Sequence, residues 1–115
     1  MKKMLVTVAL SLLLTVAATA QTALTFVALG YCQLTSLGTA KQVSTCSGGI
    51  PLGATLAVIS VEGAGIRYRD DGVAPTASVG MPVATGQAFT YQSTLVNLQI
   101  IQQSASATVD ILFYR

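Results

Sequence analysis

The sequence predicts an all-β fold, a small antiparallel β-sandwich or barrel, preceded by an N-terminal apolar helical segment that reads as a signal peptide or an arm. Three observations carry that prediction. From Leu24 onward no stretch sustains a helical period, whereas several alternate with a period of two and are rich in β-branched residues. Gly and Pro punctuate those stretches at short intervals. The length of 115 residues suits one domain, and no internal repeat or low-complexity linker divides residues 21–115.

A first strand is predicted at residues 25–29, ended by Gly30. Residues 55–61 follow a turn signal at Pro51-Leu52-Gly53 and are apolar on both faces at their centre, as a buried strand should be. Gly63-Ala64-Gly65 breaks that run. Ile66-Arg67-Tyr68-Arg69 alternates, and Asp70-Asp71-Gly72 closes it with strong turn chemistry. Residues 73–86 hold Pro75, Gly80, Pro82 and Gly86 and are predicted to form a long ordered loop. Residues 87–91 alternate again, and residues 95–101 place Val96, Leu98 and Ile100 on one face. In residues 109–114, Val109, Ile111 and Phe113 point inward and Asp110 outward. The separators Ser93-Thr94 and Ser104-Ala105-Ser106 are short enough for hairpins, which predicts a C-terminal meander.

Residues 1–20 begin Met1-Lys2-Lys3, continue as an apolar run and close with Ala18-Thr19-Ala20 before Gln21. A basic start, an apolar stretch and a small-residue motif in that order read as a secretory signal peptide, with Ala18 and Ala20 as the cleavage motif. The same run lies at the short end of what can span a bilayer, so an uncleaved anchor is a second reading. An apolar tail packed in an assembly is a third. The organisation predicted is a signal-peptide-like segment at 1–20 and a single β-domain at 21–115, with membrane contact only through the N-terminal segment if it is uncleaved.

Cys32 and Cys46 form an even pair, which in an exported protein is most simply a disulfide. Closing a loop of that size contributes about 3 kcal/mol in the chain-entropy account. Two free structural thiols are the alternative. A nucleophilic thiolate would lack a His partner, with only Lys41 close in sequence, and a metal site would need about four ligands.

Composition closes off several function classes. The chain has no His, which removes Ser-His-Asp and Cys-His catalysis and imidazole metal ligands. Its four acids are Glu62, Asp70, Asp71 and Asp110, so no carboxylate-rich cage and no cofactor are expected. The net charge of +2 comes from Lys2 and Lys3, since Lys41, Arg67, Arg69 and Arg115 balance the acids. A neutral body argues against nucleic acid as a partner and against docking on an anionic membrane. An acid/base pair such as Glu62 with Asp70 is the one enzymatic arrangement to weigh, and nothing in the spacing favours it. The chain is expected not to be an enzyme.

The most distinctive stretch is Ile66-Arg67-Tyr68-Arg69-Asp70-Asp71-Gly72, followed by Pro75-Thr76 and Gly80-Met81-Pro82. In a strand Arg67 and Arg69 share one face and Tyr68 takes the other. Two guanidiniums beside two carboxylates suit a local ion-pair network that latches the following loop. The same residues suit an interface, because Arg and Tyr are favoured interface anchors. Calcium at Asp70 and Asp71 falls short of the ligand number that ion needs. Gly63-x-Gly65 is no dinucleotide fingerprint, lacking its third glycine and its helix. Gln99, Gln102 and Gln103 read as a polar face, and Tyr68, Tyr91 and Tyr114 as core-edge residues.

At Arg67-Tyr68-Arg69-Asp70-Asp71-Gly72, Pro75-Thr76, Gly80-Met81-Pro82 and Phe113-Tyr114-Arg115, with a weaker match at Ala28-Leu29-Gly30-Tyr31, the sequence resembles a family of small structural proteins encoded by tailed bacteriophages and prophages. The likeness covers residues 24–115. It implies an all-β virion component that decorates or cements other subunits, such as capsid proteins, through protein–protein contacts. The leader and the Cys32/Cys46 pair depart from that pattern, since tailed-phage heads assemble in the cytoplasm. They point instead to an exported, disulfide-stapled β-domain, periplasmic or extracellular, acting as an envelope or adhesion-like binding module. In either setting the scarcity of large aromatics and the flat apolar strands suggest a homo-oligomer.

Overall fold

The computed structural model describes residues 25–115; the cleavage motif at Ala18 and Ala20 lies outside the described residues. Eight strands run along the chain: β1 (Ala28–Leu34), β2 (Lys41–Gln42), β3 (Leu56–Glu62), β4 (Ile66–Arg69), β5 (Met81–Val83), β6 (Ala88–Tyr91), β7 (Gln99–Gln102) and β8 (Thr108–Tyr114). Single 3-10 turns at Val43–Thr45 and Leu95–Asn97 precede β3 and β7. The strands form two four-stranded sheets, ordered β1-β8-β3-β6 and β2-β7-β4-β5. All six pairings are antiparallel; four are nested, β1 with β8, β2 with β7, β3 with β6 and β4 with β5, and β3 with β8 and β4 with β7 complete the sheets. An eight-stranded sandwich paired in this way is a jelly roll. The all-β sandwich expected from the sequence is the fold observed.

The predicted C-terminal meander is not. β6, β7 and β8 alternate between the two sheets, so the short separators cross between layers and make no hairpins. Alternation tells which face of a strand is buried, and says nothing about which strand lies beside it. Three boundaries also differ. β1 runs through Gly30 instead of ending there, because a bulge shifts the register between Ala28 and Gly30. The Pro51 ring lies 3.3 Å from where a Cβ on residue 30 would sit, a tight approach that glycine relieves. Residues 73–86 contain β5, and Pro82 is tolerated there because β5 is an edge strand paired only with β4. Leu95–Asn97 is a 3-10 turn, which leaves Val96 at 51% exposure while Leu98 and Ile100 are fully buried. The two-residue β2, inside the Cys32–Cys46 loop, is too short to show a period.

The core lies between the layers. Ile59 and Val61 of β3 and Val109, Ile111 and Phe113 of β8 face Ile66 of β4 and Ile100 of β7. Each such side chain contributes about 1.5–3 kcal/mol by leaving water. Leu37, in the β1–β2 loop, plugs one end and is fully buried. The connections sort by end. Loops 35–40, 63–65, 84–87 and 103–107 lie at one end; the longer loops 43–55, 70–80 and 92–98 lie at the other. The chain's described termini also meet at that second, open end, where Val27 and Arg115 exchange backbone hydrogen bonds of 3.0 and 3.1 Å.

Candidate functional site

The open end gathers the Arg67–Asp71 motif, the disulfide and the longest loops. β4 delivers its residues alternately: Ile66 enters the core, whereas Arg67 and Arg69 lie on the outer side. Arg67 pairs with no carboxylate. Its Nε donates to the Ala77 carbonyl at 3.1 Å, and its second guanidinium nitrogen donates to the Gly80 carbonyl at 2.8 Å. One side chain thereby ties the far limb of loop 70–80 back to the strand that precedes it. Gly80 suits this contact for two reasons: its φ of +140° is open to glycine, and a Cβ there would press on Arg67, Pro75 and the Tyr68 carbonyl.

Arg69 makes a two-pronged pair with Asp71, Nε to Oδ1 at 3.0 Å and NH2 to Oδ2 at 2.5 Å. The Arg69 hydrogen bond holds the Asp71 carboxyl below its ordinary value, and the same pairing raises Arg69 above its own. Asp70 points the other way and accepts a hydrogen bond from the Tyr91 hydroxyl at 2.8 Å. Burial, then that bond to Asp70, pushes the Tyr91 phenol up. Tyr68 turns toward the sandwich interior and stacks on Phe89 of β6, with centroids 4.9 Å apart and planes 11° from parallel. At the loop tip the Val79 N–H donates to both the carbonyl and the hydroxyl of Thr76, making a compact side-chain-capped turn.

Together Tyr68, Arg69, Asp70, Asp71, Val79, Gly80 and Met81 line a cleft of about 420 Å³. Of these, Val79 and Met81 stand exposed, at 52% and 58%, and Val73 in the same loop is 52% exposed. The disulfide joins Cys32 of β1 to Cys46, just past the first 3-10 turn, with Cα atoms 5.8 Å apart, so it pins loop 43–55 to the other sheet. Beyond it, Leu52 at the tip of that loop is 99% exposed.

The structure brings Arg67, Tyr68, Arg69, Asp70 and Asp71 to one end, and separates the two acids weighed as an acid/base pair. Glu62 closes β3 at the opposite end from Asp70. Asp110 lies elsewhere again, on the outer face of the β1-β8-β3-β6 sheet, where Tyr31 and Gln33 of β1 both donate to it and hold its carboxyl low. Among the described residues no three His, Cys, Asp or Glu side chains cluster as a metal site would require. Sequence reasoning missed Tyr91, Phe89 and the Ala77 and Gly80 carbonyls as partners of the motif. Nothing local marks them: Tyr91 and Phe89 belong to β6, and the two carbonyls are backbone groups that every residue carries. No family model, curated protein or solved structure matches the chain.

Proposed function

We propose that this chain is a non-enzymatic structural protein that binds other protein subunits through the open end of its jelly roll, as a component of a virion. The observation that carries the reading is the way loop 70–80 is held. Arg67, the Arg69–Asp71 pair and the Tyr91–Asp70 bond fix its backbone before any partner arrives, while Val73, Val79 and Met81 remain outside. A surface ordered in advance loses less entropy on binding, and Met, Tyr and Arg are enriched where proteins dock. The jelly-roll strand order is shared with viral capsid domains and also with lectins; this is support by fold analogy, with the weight such analogy has. Mass spectrometry of purified phage particles tests the reading: the chain is expected among the virion proteins, and its absence from them sinks the proposal.

The disulfide favours a second reading, an exported bacterial β-domain that binds partners at the envelope. The mature N-terminus separates the two. Gln21 as first residue supports export, and a retained Met1 opposes it.

A further inference from the structure

Charge is divided between the two layers without overlap. The strands of the β1-β8-β3-β6 sheet contain two acids, Glu62 and Asp110, and no Lys or Arg. Those of the β2-β7-β4-β5 sheet contain Lys41, Arg67 and Arg69, and no Asp or Glu. Both acids hold outward positions: Asp110 lies opposite Ser60 of β3, and Glu62 is the next outward residue along that strand. The side chains that bond Asp110, Tyr31 and Gln33, are neutral donors and cancel none of its charge. On the other layer Arg67 and Arg69 point outward, opposite Ile101 and Gln99. Asp71 offsets Arg69, but Arg67 meets only the Ala77 and Gly80 carbonyls and Lys41 only that of Thr35, so this layer stays positive.

Two copies can bring these broad faces together in three ways. Acidic on acidic sets carboxylate against carboxylate, and basic on basic sets guanidinium against guanidinium; both desolvate like charges. Acidic on basic is the one arrangement of opposite sign. It also brings uncharged surface together: Tyr31 and Leu112, 59% and 40% exposed, share the acidic face, while Ile101 and Pro82 flank Arg67 on the basic one. A contact between two different patches leaves each engaged copy with one face free, so further copies add front to back. Four strands about 4.8 Å apart and up to seven residues of about 3.3 Å each give the acidic face a footprint of roughly 19 by 23 Å. That is about 440 Å², roughly half of the 800 Å² that each partner contributes to a standard interface, so one contact is weak and rows lengthen with concentration.

We propose that copies of this chain stack front to back, the outer face of the β1-β8-β3-β6 sheet of one against the outer face of the β2-β7-β4-β5 sheet of the next, with Glu62 and Asp110 meeting Arg67 and Arg69. The contact is separate from what the open end binds, since Glu62 and Asp110 take no part there. Sedimentation of the full chain over a concentration series tests it. The weight-average mass is expected to climb past that of a dimer without a plateau. It should fall back when salt is raised from about 0.1 to about 1 M, which shortens the screening length from roughly 10 to 3 Å. Glu62→Lys and Arg69→Gln each weaken one face and leave the other intact; should Arg69→Gln not fold, Gln99→Glu on the same face takes its place. Each variant alone is expected to sediment as a monomer, and an equimolar mixture to stop at the dimer, because one intact face of each kind remains to meet. A monomer at every concentration, a dimer plateau for the unaltered chain, or association that salt or Glu62→Lys leaves unchanged overturns the proposal. None of these outcomes bears on the virion reading, which the composition of purified particles decides.

Discussion

The two ends of the roll are held together by different chemistry. At the tight end the backbone does most of the bonding: Gln102 N–H to the Leu37 carbonyl and Gln103 N–H to the Gly65 carbonyl, both at 2.9 Å, and Gly86 N–H to the Val61 carbonyl at 2.7 Å. At the open end backbone bonds are present too, Val27 with Arg115 and Thr55 N–H to the Tyr114 carbonyl, and side chains add to them: a disulfide, two arginines, a tyrosine and a threonine hydroxyl. Backbone bonding demands little of sequence beyond glycine where chains touch. Side-chain bonding ties a loop's shape to particular residues, and allows that shape to be altered without rebuilding the sheets. The side-chain ties are thereby concentrated at one end of the roll.

The sharpest way to break the contrast is to put the same lesion at both ends. Gly63 has a φ of +78°, and a Cβ there would run into the Ser106 carbonyl; Gly53 has a φ of +85° with open space around it. Gly63→Ala is expected to cost about 3–4 kcal/mol, clash added to backbone strain, and Gly53→Ala about 1 kcal/mol, strain alone. Urea unfolding of the two variants, compared by midpoint, checks this; equal losses would mean that the ends are alike.

Next in size is the disulfide. Cys32→Ser with Cys46→Ser is expected to lose about 3 kcal/mol in the same measurement. Hydrogen exchange should quicken in loop 43–55 while amides of loops 63–65 and 103–107 keep their order of protection. Arg67→Ala should cost less, about 1–2 kcal/mol, and raise exchange in loop 70–80 alone. Exchange rising equally at the tight end would remove Arg67 as the local tie.

The smallest effects concern pH. Asp71 and Asp110 both lie below the ordinary carboxylate range, through hydrogen bonds from Arg69 and from Tyr31 and Gln33 respectively. A depressed carboxylate adds stability that is present above its unfolded pKa and lost as pH falls through the folded one. Wild-type midpoints should therefore fall on the acid side, and Asp110→Asn should fall less steeply. Asp71→Asn should change little, since the Arg69 pair is exposed. Tyr91 has the opposite sign: its phenol is raised, so its contribution holds below the ordinary tyrosine range and disappears as pH climbs through the elevated value. Tyr91→Phe should flatten that alkaline limb, read by circular dichroism across a pH series.

Several elements were legible because a local signal and a tertiary demand coincide. β4 and β8 show the alternation that their burial requires: Val109, Ile111 and Phe113 are buried and Asp110 lies outside. The cysteine pair is bonded. β5 was hidden by Pro82, which argues against a strand unless the strand is known to be an edge, and edge status is a property of the sheet. The motif at 66–72 stood out by composition, yet two of its contacts could not be foreseen. Asp70 meets Tyr91, twenty-one positions away, and Arg67 meets carbonyl groups, which every residue carries alike.

By itself, then, the order of residues determined where most of the longer strands fall, which side of most of them turns inward, and that two sulfurs are available to cross-link. Those properties follow from periodicity and composition over a few neighbouring positions. Tertiary structure alone decided the partner of each strand, the nesting of β1 with β8 down to β4 with β5, and the assembly of Arg67, Asp70 and Tyr91 at one end. Pairing is chosen by how two layers close over a shared core, and that free energy belongs to contacts between residues far apart in the chain.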